Sequence, residues 1–280
     1  MKKIIATVMT VMFLLTATMA SAEFISQWNY RIEGIFTSYS NNLGTETADI
    51  TAENPQTLNY EFEAGIATPG ASDTGPTYLK WGDPATAYGA TGQSSLQIFD
   101  IEITDNAIVN TNLDIVNGLR FEHNNQPVFG ATLAAGTVRA VLSITPLDGD
   151  LLGPFSTVLD FSFIETPNSL NPNDQGNPLY DDIFILSESS ISRTVEDFLV
   201  YDGFIYTLDF NSNLPELSGL TGDFAQYNGE LGWRTTELAT TPIQTLFSIT
   251  SRPVPVPEPS TVLLLGAGLL GLGAVARRRS

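Results

Sequence analysis

The chain has 280 residues, no cysteine, 12 basic and 31 acidic side chains, and a formal charge of −19. The missing cysteine excludes disulfides, thiolate catalysis and cysteine-ligated zinc. The negative charge argues against nucleic acid and anionic membrane surfaces as partners, and leaves room for weak binding of divalent cations.

At the N-terminus, Lys2 and Lys3 precede an apolar stretch over residues 4–15, followed by Ala20-Ser21-Ala22. That is the pattern of a secretory signal peptide over residues 1–22, with Ala20 and Ala22 as its A-x-A cleavage site. Residues 23–252 then form one extracellular domain, long enough to bury a substantial core. With the five basic residues of the two ends set aside, seven basic residues face 31 acidic ones, a balance of −24.

Within that domain the apolar residues alternate rather than recur at helical spacing. Val138, Ala140, Leu142 and Ile144 read as a half-buried strand, as do Phe155, Thr157, Leu159, Phe161 and Phe163. Phe198-Leu199-Val200-Tyr201 and the run from Phe204 to Phe210 flank Asp202-Gly203, a hairpin turn signal. Residues 96–103 change face at Ile98-Phe99, as a bulged strand does. Further strands are predicted over 28–36, 58–63, 119–122, 182–186 and 243–250. About a dozen short strands with this punctuation predict an all-β fold, a β-sandwich of jelly-roll-like type. The polar stretches 69–76, 81–92, 168–178 and 215–232 are predicted as its long loops, where binding residues usually sit.

The chain ends in a proline-rich spacer, residues 253–260, containing Pro257, Glu258 and Pro259, and then residues 261–280. In the latter an apolar run over 261–276 precedes Arg277-Arg278-Arg279. As a helix that run covers about 24 Å, short of the ~30 Å hydrocarbon core, so it suits a temporary stop better than a permanent anchor. The arginines place the C-terminus in the cytoplasm. Gly266-Ala267-Gly268-Leu269-Leu270-Gly271 fits a dinucleotide fingerprint by spelling alone, since no βαβ unit or downstream acid accompanies it.

This end resembles the sorting tail of PEP-CTERM proteins of Gram-negative bacteria. The resemblance implies an exported protein held transiently in the inner membrane, then released to the cell surface by an exosortase acting near Pro-Glu-Pro. Three internal stretches are also similar to the THxN subgroup of that family, over residues 78–250. They are Tyr78-Leu79-Lys80-Trp81-Gly82, Phe121-Glu122-His123-Asn124-Asn125, and the pair Glu165-Thr166-Pro167-Asn168 and Asp181-Asp182-Ile183-Phe184. Glu122 stands where the subgroup has threonine, while His123 and Asn125 match its histidine and asparagine. The resemblance implies no reaction.

Three candidate chemistries remain open in the sequence. His123, the single histidine, is either a strand-end residue bonded to local backbone, a metal ligand, or a catalytic base. As a ligand it would act beside Glu122, with Glu165, Asp181 or Asp182 brought in by folding. Asn171, Asn173 and Asp182 follow the spacing of a calcium loop, without flanking helices, and Asp148-Gly149-Asp150 is a second candidate. Trp81, Tyr88 and Trp233 could form a sugar-stacking platform. No assembled catalytic set is present, so the expected function is non-enzymatic: a structural or adhesive component of an exopolysaccharide or biofilm matrix. Its expected partners are exosortase and exopolysaccharide, with no cofactor unless calcium. The alternatives are a carbohydrate-binding module or a carbohydrate-active enzyme using two carboxylates.

Overall fold

The computed structural model describes residues 24–43, 49–63, 66–101, 107–147, 149–168, 179, 181–187, 194–210, 223–227 and 230–255. The predicted signal and sorting helices lie outside them. Sixteen strands run through the described residues. They begin with β1 (Gln27–Asn41), β2 (Ile50–Glu63), β3 (Ile66–Trp81), β4 (Asp83–Pro84), β5 (Ser94–Phe99) and β6 (Ile108–Asn110). Next come β7 (Val116–Asn125), β8 (Val128–Phe129), β9 (Leu133–Pro146), β10 (Leu152–Ile164) and β11 (Asp182–Leu186). The chain continues with β12 (Thr194–Tyr201), β13 (Phe204–Phe210), β14 (Asp223–Tyr227), β15 (Glu230–Thr235) and β16 (Ala239–Pro253).

Alternation builds the layers. In β1, Trp28, Tyr30 and Ile32 are buried between more exposed neighbours, and β9 and β10 repeat the pattern. One run of strands is ordered β12-β13-β16-β7-β5-β3-β2; the other is β6-β1-β9-β10-β11-β15-β14. A short parallel pairing of β2 with β10 joins them, and every other ladder is antiparallel. The two runs meet face to face, as edge-on aromatic pairs show: Tyr30 against Phe247 at 4.9 Å and Trp28 against Tyr206 at 5.1 Å. Phe121 of β7 likewise meets Phe184 of β11 at 5.4 Å. The all-β, sandwich-like reading therefore holds. The Asp202-Gly203 turn also forms as expected, with positive φ at both residues.

Two predicted loops contain strands. Residues 69–76 belong to β3, which pairs with β2 as a long hairpin. The β3 side of this hairpin's far end is largely exposed on both faces and carries no apolar alternation to read, whereas the β2 side contains the strand predicted over 58–63. The hairpin's far end folds over the outer side of β1 and β9, where Leu58 and Tyr60 form a second small core with Ile35 and Val141, and Phe62 and Glu63 pair with β10. At Gly75 the hairpin backbone presses so close to the Phe36 carbonyl that no side chain fits. The stretch 215–232 likewise contains β14 and the start of β15. The strand expected over 96–103 ends at Phe99, and Ile101 makes only an isolated bridge with Ile32.

Candidate functional site

In β7 successive side chains point to opposite faces, which separates Glu122 from its neighbours. His123 and Asn125 are buried in the core, whereas Glu122 turns outward and pairs with Arg120. The expectation that Glu122 and His123 act side by side on a metal is therefore corrected by the strand's own geometry.

His123 lies flat against Trp81, with ring centres 5.5 Å apart and planes 8° apart, and Phe163 meets it edge-on at 4.7 Å. Neither ring nitrogen has a hydrogen-bond partner, so the local backbone bond expected of a strand end does not form. Burial drives the imidazole pKa down to about 3, because the charged form is left without solvent. His123 is a neutral aromatic wall.

Behind this wall lies a group of carboxyls drawn from three distant parts of the chain. Glu165 follows β10, Asp181 and Asp182 open β11, and Glu237 sits in the turn between β15 and β16. Asp182 is 2% exposed. Its Oδ1 accepts hydrogen bonds from the Thr166 amide at 2.9 Å and hydroxyl at 3.3 Å, while its Oδ2 accepts none. Asn125 donates to the Thr235 carbonyl at 2.7 Å, and the Thr235 hydroxyl donates to the Asp182 carbonyl at 3.2 Å. Through Thr235, the second resembling stretch is tied to the third.

The carboxyls are electrostatically strained. Burial pushes Glu165 up to about 8, with Glu237 adding to the rise and the Trp81 indole opposing it. The Trp81 N–H faces this carboxyl without reaching regular hydrogen-bond geometry, and both Glu165 oxygens are enclosed without a partner. Asp182 is raised well above the usual carboxylate range, first by burial and then by Glu165, against the pull of the Thr166 amide. Glu237 rises to about 7, through burial and the charge of Asp181. Among the described residues, no lysine or arginine pairs with Glu165, Asp182 or Glu237.

Among the described residues, no three histidine or acidic side chains stand at coordinating distance from one point. An open cleft of about 560 Å³, walled by Phe99, Asp100, Arg120 and Gln244, lies elsewhere, and none of the clustered acids lines it. The expected stacking platform is corrected outright: Trp81 and Trp233 are buried, and Tyr88 meets Phe129 edge-on instead. Asp182, the last position of the expected calcium loop, points into the interior beside Thr166. Asn171, Asn173, Asp148, Ala20, Ala22, Pro257, Glu258 and Pro259 lie outside the described residues. Glu237 was not singled out in the sequence, where a lone acid in a Thr-Thr-Glu-Leu turn has no signature.

The decisive observation about the chain's destination comes from its end, where residues 255–279 match the family model of the PEP-CTERM protein-sorting motif. The chain carries a PEP-CTERM sorting tail. This motif implies export and a C-terminal membrane-anchored sorting step, and it is the recognition signal for exosortase. The match is confined to the tail, so the THxN resemblance of residues 78–250 stays an expectation. No curated protein matches the chain.

Proposed function

We propose that this PEP-CTERM protein is a structural or adhesive component of an exopolysaccharide matrix, delivered to the cell surface through exosortase sorting. The sorting tail at residues 255–279 carries this reading. The acidic, cysteine-free domain supports it: a balance of −24 favours solubility outside the cell. Its role is non-enzymatic, and the THxN stretches around Trp81, His123 and Asp182 serve to hold one end of the sandwich together.

The test is intact-mass analysis of the protein from a host with its own exosortase, and from the same host lacking it, with recovery of the product in the matrix fraction. The reading expects a C-terminus near Pro257–Ser260 and co-fractionation with polysaccharide, both lost without exosortase. A full-length chain retained in the membrane of both hosts overturns it.

A second reading is favoured by one observation. A carboxyl raised to about 8 beside an indole, with a second raised to about 7, is the kind of acid a glycan-cleaving enzyme uses. Their enclosure weighs against it, because a sugar ring cannot reach oxygens sealed from solvent. Release of reducing ends from purified matrix glycan, abolished in Glu165→Gln, would move the assignment to this reading.

A further inference from the structure

The two ends of the sandwich differ in what they expose. At the end opposite His123, β1 begins and β16 finishes, and the β6–β7, β9–β10 and β12–β13 connections meet there. Three contacts fix this grouping. The Asn112 amide donates to the Ile249 carbonyl at 2.8 Å, the Leu147 amide to the Gln27 carbonyl at 3.3 Å, and the Ile25 amide to the Tyr206 hydroxyl at 2.9 Å. Most of the large apolar side chains exposed among the described residues lie on this end, and each connection contributes two: Leu113 and Ile115, Leu147 and Leu151, Val200 and Tyr201. Leu113 is 83% exposed, Val200 62% and Leu151 55%. Turns normally carry polar residues, and exposed apolar groups gathered at one place mark a contact surface.

The chain's own anchor decides what faces this end. β16 stops at Pro253, the Val254 amide donates to the Gly203 carbonyl at 2.8 Å, and the matched sorting motif starts at residue 255. Residues 255–260 alone then separate the domain from the apolar run over 261–276. Fully extended, they reach about 22 Å, of which the headgroup layer takes up about 5–7 Å. While the tail is anchored, the apolar rim therefore stands within about 15 Å of the headgroups. The His123 end lies a full strand away, roughly 45 Å for the 15 residues of β1. A surface held this close acts at a high effective concentration, so a rim too weak to bind lipid from solution still settles on it. No second copy or soluble partner has that advantage. Charge selects the kind of lipid: Asp114, Asp150 and Asp202 share this end with Arg252, in a domain that is acidic throughout. Anionic headgroups repel it, so the contact is apolar and suits zwitterionic lipid.

We propose that this rim is a membrane-docking surface, which seats the domain on a zwitterionic headgroup layer during the anchored step of sorting. Leu113, Val200 and Leu151, the most exposed of the rim, enter the interface. Tyr201 takes the headgroup level that suits an amphipathic aromatic ring. Seating holds Pro257-Glu258-Pro259 against the bilayer, within reach of a membrane enzyme, where an unseated domain would swing on its spacer. The inference rests on the tail being anchored and is independent of the matrix role.

The experiment uses the full chain reconstituted in phosphatidylcholine vesicles. Flotation with the vesicles is read first, and a chain left in the aqueous phase overturns the anchored tail along with the docking. Because the protein has no cysteine, a polarity-sensitive dye can be placed at one position at a time. Val200→Cys reports on the rim and Leu43→Cys on the opposite end. The rim dye should shift to the blue and be quenched several-fold more by nitroxide-bearing lipid than the dye at Leu43→Cys. Adding Leu113→Ser, Leu147→Ser and Leu151→Ser to Val200→Cys should bring its quenching down to the Leu43→Cys level. These side chains are exposed, so the melting temperature should stay within about 5 °C of the parent. Replacing part of the lipid with phosphatidylglycerol should weaken the contact. Three results in anchored chains overturn the proposal. They are equal quenching at both ends (a freely swinging domain), quenching that survives the triple change (closeness imposed by the tether alone), and a rim dye shielded only when exosortase is supplied (a protein partner).

Discussion

Replacing His123 with phenylalanine should flatten the acid side of the stability curve. The imidazole is buried, and its pKa is lowered from 6.5 to about 3. Folding therefore opposes its protonation: its share of stability is fully present above pH 6.5 and is lost as pH falls toward 3. The gap of about 3.5 units is worth about 5 kcal/mol in all, at ~1.4 kcal/mol per unit. Between about pH 7 and about pH 4 the share lost is about 3 kcal/mol. Phenylalanine keeps the flat contact with Trp81 and the edge contact with Phe163. It forfeits no hydrogen bond, because neither nitrogen makes one. Glu165, Asp182 and Glu237 titrate in the opposite sense, since their raised pKa values give stability that is present in acid and lost as pH rises. They are common to both proteins, so the difference between wild type and His123→Phe isolates the imidazole. Urea unfolding in chelator, followed by tryptophan fluorescence at steps across this range, measures that difference. The two proteins should be within about 1 kcal/mol at neutral pH, with the variant ahead by about 3 kcal/mol near pH 4. Parallel curves would refute the neutral-wall account of His123.

Gly75→Ala should cost about 2 kcal/mol or more, because its Cβ would collide with the Phe36 carbonyl rather than with a movable side chain; the urea midpoint reads it. Phe184→Ala should cost about 3–5 kcal/mol, since Phe184 is fully buried between Phe121, Phe161 and Trp233. Equal thermal melts would disprove its central place. Arg139→Met should cost only about 1–2 kcal/mol. Its guanidinium bonds Glu63 at 2.8 Å and Asp73, and stacks on Tyr60 at 4.9 Å, but both acids are more than a third exposed and can return to water. A loss above about 4 kcal/mol, the cost of stranding a buried charge, would contradict that exposure.

Strands buried on one face announced themselves in the sequence. β9 and β10 appear close to their predicted bounds because each sets apolar residues on alternate positions, while β11 at its predicted bounds and the β12–β13 hairpin are marked by short apolar runs beside turn residues. At the far end of the β2–β3 hairpin only the β2 side announced itself, as the strand predicted over 58–63. The β3 side is mostly exposed, and its place is fixed by backbone pairing and by the absence of a side chain at Gly75. Proline and glycine there read as loop punctuation, although Pro55 and Pro76 face one another across the ladder.

The acid cluster was legible in pieces and illegible as a site. His123, Glu165, Asp181 and Asp182 were weighed together, yet Glu122 was included on adjacency, which a strand's two-residue period forbids. Glu237 was missed because nothing local distinguishes one acid among 31. What singles it out is non-local: the β7–β16 register sets Ala239 opposite Asn125, and Asn125 reaches the Thr235 carbonyl. That register holds the β15–β16 turn against the end of β11, where Thr235 also bonds the Asp182 carbonyl. The cluster is thus a product of strand pairing rather than of any motif. Shifting that pairing by one residue would turn His123 and Asn125 outward and dissolve it. The arrangement of the acids and the stability of this end of the sandwich are therefore a single property of the fold. Whatever neutralises the acids must also stabilise the junction of β7, β11, β15 and β16.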